Sequence, residues 1–149
     1  CGQLIDAYEE YGLGVLGVKK VKEEDIHKYS SLQVENLRDN IFKCTDMIEK
    51  PDKDHVMSLY SILGRCVLPP EIFDILDETQ PGVGGEIQLT DAMRRLAVTK
   101  GMTAVDFKGR RYDMGNKLGI LQASVEIALQ HPEVGDGFRS YLKEISKTL

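Results

Sequence analysis

Apolar positions along this chain change period several times, from helical spacing to continuous runs and back. Leu4, Ile5, Tyr8 and Tyr11 recur at helical intervals, and Gly12 and Gly14 end that helix. Val15 to Val21 then reads as a buried strand. Glu23, Glu24 and Asp25 form a solvated cluster opening a short helical turn, and the polar stretch 34–40 reads as an extended excursion. Ile41 to Ile48 has strand character and runs into Glu49-Lys50-Pro51. A charged connector, 52–56, leads to a further strand-like run from Tyr60 to Leu68, closed by Pro69-Pro70.

Glu71 opens a short amphipathic helix with Ile72, Ile75 and Leu76 on one face, and Pro70 suits its first turn. The Pro81-Gly82-Val83-Gly84-Gly85 loop feeds a helix through Lys100, striped by Leu89, Ala92, Met93 and Leu96 and capped by Gly101. A strand is expected over residues 103–112, followed by a long helix from near Asn116 whose Leu118, Leu121, Val125, Ala128 and Leu129 face a core. The last helix carries Phe138, Tyr141, Leu142 and Ile145 on one side. Strands alternating with helices predict an α/β sheet, here one domain over 1–149 with a helical tail from about 116.

With 149 residues, 42% of them hydrophobic, the chain can build a core. Its net charge of −5 provides no basic face for phosphate backbones, so nucleic acid is excluded as a partner. No apolar run is long enough to cross a bilayer, no signal peptide opens the chain, and a membrane partner is not expected. Cys1, Cys44 and Cys66 are an odd number without metal-ligand spacing, which predicts reduced thiols and a cytoplasmic protein. Because the first residue is Cys1, the sequence is expected to be part of a longer protein.

Three stretches could carry chemistry. Asp113 stands at the expected strand-to-helix junction, where α/β sheets gather ligands, and Gly115 follows closely. A carboxylate there is an oxygen ligand of the kind Mg²⁺ takes; it could equally cap the helix. Glu49 and Lys50 pair an acceptor for sugar hydroxyls with a compact cation for a phosphate, or form a solvated ion pair. The glycine loop can let a ligand approach the backbone, and Glu86, just inside a helix start, suits the helix dipole. That loop is neither a Walker loop nor a dinucleotide fingerprint. His27, His55 and His131 each stand without a carboxylate or cysteine at ligand spacing, and no Ser-His-Asp or Cys-His arrangement is evident.

Taken in order, Glu49-Lys50-Pro51, the run from Pro81 to Ala92, and Tyr112-Asp113-Met114-Gly115-Asn116-Lys117-Leu118-Gly119 resemble the bacterial UTP–glucose-1-phosphate uridylyltransferases, or UDP-glucose pyrophosphorylases. Gly64-Arg65 and the 128–132 stretch fit as well. The resemblance implies part of a Rossmann-like nucleotidyltransferase mixed sheet flanked by helices, with a helical C-terminal tail. It implies formation of UDP-glucose and pyrophosphate from UTP and glucose 1-phosphate, with Mg²⁺ as cofactor. It puts Glu49 on the glucose hydroxyls and, as catalytic groups, Lys50 on the sugar-side phosphate and Asp113 on Mg²⁺. Gly115 lies beside the metal, with Gly84, Gly85 and Glu86 near the sugar.

The family's nucleotide-binding half is not found in this sequence, so the piece by itself is expected not to turn over and to self-associate as a homo-oligomer. Two departures stand out. Tyr29-Ser30 replaces the family's Tyr-Gly, where a side chain would narrow the sugar pocket, and Leu59 stands near an asparagine position. A related transferase for another sugar or base, and a non-catalytic sugar-nucleotide-binding module, are the alternatives.

Overall fold

A computed structural model describes every residue except Asp113, Asn116 and Leu149, together with the side chain of Val83. Two compact units are present, Cys1–Lys108 and Gly109–Leu149.

The first unit is a five-stranded mixed sheet. Its strands are β1 (Val15–Lys20), β2 (Ser30–Arg38), β3 (Ile41–Glu49), β4 (Tyr60–Val67) and β5 (Met102–Asp106), arranged β2-β3-β5-β1-β4. β1 and β5 run parallel and the other neighbours antiparallel. The alternation of a pleated strand sorts β1 between two cores. Leu16 and Val18 join Leu32, Met47, Met102 and the inner faces of α2 (Ile72–Asp77) and α3 (Leu89–Lys100). Val15 packs with Val105 against Leu4 and Ala7 of α1 (Gly2–Tyr11) on the other side. Gly17 also faces α1, since a Cβ there would lie 3.3 Å from Leu4 Cδ2 and 3.0 Å from the Arg65 carbonyl.

Most elements match the sequence pattern, and three differ. β5 stops at Asp106 instead of running to residue 112. Gln3 accounts for this by taking both backbone groups of Lys108: its Oε1 accepts from the amide at 2.8 Å, and its Nε2 donates to the carbonyl at 2.9 Å. Backbone groups held this way cannot extend a ladder. Glu86 is extended (φ −102°, ψ 149°) and lies three residues before α3, not inside its first turn.

The third difference is in the second unit, which consists of α4 (Lys117–Gln130), α5 (Gly135–Ile145) and a terminal 3-10 turn. Leu118 and Leu121 are 64% and 63% exposed, so they do not face a core; Gly119 and Ala123 are the buried positions. Apolar side chains project from most of α4's circumference, and one partner helix can cover only a stripe of it. On α5, Phe138 and Tyr141 stack with centroids 6.3 Å apart.

Cys1 and Cys66 are exposed, whereas Cys44 is fully buried and its thiol is pushed up to about 12 by loss of solvation. A thiol-specific reagent at neutral pH is expected to label Cys1 and Cys66 in the native protein and Cys44 only in denaturant. Peptide mapping after each treatment checks this.

Candidate functional site

The carboxyl end of β3 is where polar groups of the first unit converge. β3 pairs with β2 so that Glu49 lies opposite Ser30, and the chain leaves the ladder at Lys50. The Lys50 amide donates to the Tyr29 carbonyl at 2.9 Å, which keeps the exit tight. Lys50 sits at φ +45°, a left-handed conformation that costs a side-chain-bearing residue energy. Among the described residues Asp39 is the other non-glycine at positive φ, in the turn of the β2–β3 hairpin where such a conformation is routine. At Lys50 it marks a constrained strand exit carrying a cation. The Lys50 side chain is exposed and meets no described carboxylate within ion-pair distance.

α3 lies against β3 and contributes two ties. Thr90 Oγ1 donates to Glu49 Oε2 at 3.0 Å. One turn further, Arg94 forms a bidentate pair with Asp46, Nε–Oδ1 at 2.6 Å and Nη2–Oδ2 at 3.2 Å. The guanidinium holds the Asp46 carboxyl below its ordinary range, helped by a hydrogen bond from the Met47 amide. Neither partner of Glu49 and Asp46 was legible in sequence. A threonine and an arginine four apart share a helix face, but nothing in the spacing tells which strand that face meets.

The glycine loop closes on itself before α3. The Gly82 amide donates to the Glu86 carbonyl at 2.8 Å and the Gly85 amide to the Gly82 carbonyl at 3.0 Å. Gly84 and Gly85 both sit at φ +77°, so side chains there would be strained. At Gly82 an added Cβ would lie 2.5 Å from Asp91 Oδ2. The loop therefore delivers the chain to the start of α3, beside Glu49.

The two departures have distinct outcomes. Ser30 is buried, its hydroxyl 3.3 Å from Ser61 Oγ and accepting from the Ile62 amide at 3.1 Å, so it is committed to β4. Leu59 lines a depression of about 650 Å³ with Ile26 and Val56. In the second unit, Glu126 of α4 accepts from the Tyr112 hydroxyl at 2.8 Å and pairs with Arg110. The carboxylate raises the tyrosine pKa, and Arg110 lies over the Tyr112 ring. Gly115 falls in the turn before α4, and Asp113 lies outside the described residues. Among the described residues no group of three or more His, Cys, Asp or Glu could hold a metal.

No protein-family model matches the chain. Curated relatives do. The UTP–glucose-1-phosphate uridylyltransferase of Staphylococcus epidermidis is 41% identical over 143 residues, covering 96% of this chain and 50% of the relative. A Streptococcus pyogenes enzyme of the same name is 39% identical, covering 99% and 50%. The chain is homologous to the UTP–glucose-1-phosphate uridylyltransferases over about half their length. Solved structures agree with the fold. A UDP-glucose pyrophosphorylase complexed with UDP-glucose superposes with a TM-score of 0.81 at 36% identity, over 87% of this chain and 49% of that one. The UTP-bound enzyme of Acinetobacter baumannii gives 0.82 at 30%, over 95% and 49%.

The Asp46–Arg94 tie has a pH signature. Its partner lowers the folded Asp46 pKa below the unfolded value of about 3.9, so its stabilisation is complete above that value and is lost as pH falls through the folded pKa. Asp46→Asn is expected to cost up to about 1 kcal/mol at pH 7, with the gap to wild type closing as pH drops toward 3. Thermal melts of both proteins across that range test it.

Proposed function

We propose that this chain carries the sugar- and metal-binding part of a nucleotidyltransferase that makes UDP-glucose and pyrophosphate from UTP and glucose 1-phosphate. The observation that carries the reading is Glu49-Lys50 at the carboxyl end of β3, its cation in a constrained left-handed exit, beside the helix start that follows the glycine loop. Its support from relatives is their shared name over half their length.

In this reading a phosphate oxygen of glucose 1-phosphate attacks the α-phosphorus of UTP and pyrophosphate leaves. A phosphate monoester with a second pKa near 6 is already ionised at neutral pH, so it serves as its own nucleophile without a protein base. The protein's work is positioning and charge stabilisation. Glu49 accepts from sugar hydroxyls, and Lys50 places its ammonium against the sugar-side phosphate. The Gly84-Gly85-Glu86 loop flanks the sugar. Asp113 would supply an oxygen ligand of the kind Mg²⁺ takes, with Gly115 close to it in sequence. When bound, the cation would supply neutralisation of charge on the transferring phosphates.

Three free cysteines suit a reducing cytoplasm, and no helix among the described residues is long and apolar enough to cross a membrane. The exposed Leu118 and Leu121, neighbours on one face of α4, favour a homo-oligomer, since adjacent exposed apolar side chains are readily covered by a partner. Light scattering across a concentration series is expected to give a mass above the monomer; a monomeric mass throughout would overturn this part.

Calorimetric titration with UDP-glucose and Mg²⁺ is the direct test. Lys50→Ala is expected to weaken binding by roughly tenfold to a hundredfold, as loss of a charge-assisted contact to phosphate does. Unchanged affinity would remove Lys50 from the site.

A further inference from the structure

We infer that Thr90 is a positioning residue that holds the Glu49 carboxylate in the orientation that receives the sugar. This rests on the reading of Glu49 given above and adds a residue to it.

The hydroxyl of Thr90 behaves unlike every other serine or threonine hydroxyl in the described α-helices. Thr99, Ser124 and Ser140 each donate back to the carbonyl four residues earlier, to Arg95 at 2.7 Å, Ile120 at 2.8 Å and Asp136 at 3.0 Å. That is the ordinary fate of a hydroxyl inside a helix. Thr90 is the second residue of α3, so the residue four earlier is Glu86, which is extended and outside the helix. With no helical carbonyl behind it, the hydroxyl is available to a tertiary partner. It donates to Glu49 Oε2 at 3.0 Å.

The carboxylate needs such a partner. Glu49 is half-buried at a strand end, and its side chain has several rotatable bonds that would otherwise be ordered when substrate arrives. Thr90 occupies one oxygen, and Oε1 accepts from no other donor among the described residues. A β-branched threonine on a helix has few χ1 states, which limits where its hydroxyl can lie. The Arg94–Asp46 pair one turn away fixes α3 against β3 and thereby sets the height of Thr90 over Glu49. The arrangement pre-pays ordering of Glu49 and exposes its second oxygen to a hydroxyl donor, the chemistry of a sugar ring.

The test compares affinities for UDP-glucose and for UDP in the intact protein, because their difference reports the sugar. Thr90→Val keeps the shape and removes the donor. It is expected to weaken UDP-glucose by roughly tenfold, while UDP affinity and melting temperature stay at wild-type values. Thr90→Ser, which restores a hydroxyl, is expected to recover most of the loss. Glu49→Gln separates the two levels of the argument. If Glu49→Gln weakens UDP-glucose selectively but Thr90→Val does not, Thr90 does not position Glu49 and the inference fails while Glu49 keeps its role. If neither variant affects the sugar, the role of Glu49 fails and the inference with it. Equal weakening of both ligands with a lowered melting temperature would make Thr90 a structural residue and overturn the inference.

Discussion

The packing of α3 on β3 is the contact on which the polar end of the sheet depends. Met93, Leu96 and Ala97 of the helix share a buried cluster with Cys44 and Met47 of the strand and Met102 of β5. That apolar contact, driven by removal of surface from water, brings the two elements together but is indifferent to small shifts along their axes. The hydrogen-bonded pairs at its edge remove that freedom. Arg94 on Asp46 is planar and bidentate, so it tolerates little sliding, and Thr90 then falls on Glu49.

The opposite edge of the strand end is held by different means. Ser31 donates to the Ser58 carbonyl and accepts from the Met57 and Ser58 amides, while Ser58 Oγ donates to the Leu32 carbonyl. These bonds dock the connector after Lys50 back onto β2 and satisfy backbone groups that the irregular segment would otherwise leave unpaired. Buried Ser30 joins the same design through Ser61 and Ile62. Its hydroxyl fastens β2 to β4.

In the second unit, the segment before Asp113 is secured by a three-residue clamp rather than by a strand. Arg110 and Tyr112 both reach Glu126, and the guanidinium covers the phenol ring. The expectation of a strand through residue 112 missed this because apolar content and β-branched residues favour a strand only where a neighbour offers its ladder. Gln3, remote in sequence, withdraws the Lys108 backbone from that ladder.

Element type and order were therefore largely present in the amino-acid sequence by itself. Glycines at helix ends, Pro69-Pro70 and the switches of apolar period are local signals, and local sterics decide them. The stretches holding Glu49, Lys50, Gly84, Gly85 and Glu86 stood out as candidates, and their roles were implied by the family resemblance rather than by their spacing. Tertiary structure decided what pairs with what. The strand order β2-β3-β5-β1-β4, the partnership of Thr90 with Glu49 across 41 positions, and the exposure of Leu118 and Leu121 depend on which surfaces meet. Those meetings are set by long-range packing, where many side chains of similar polarity compete for each place and periodicity is silent about the winner.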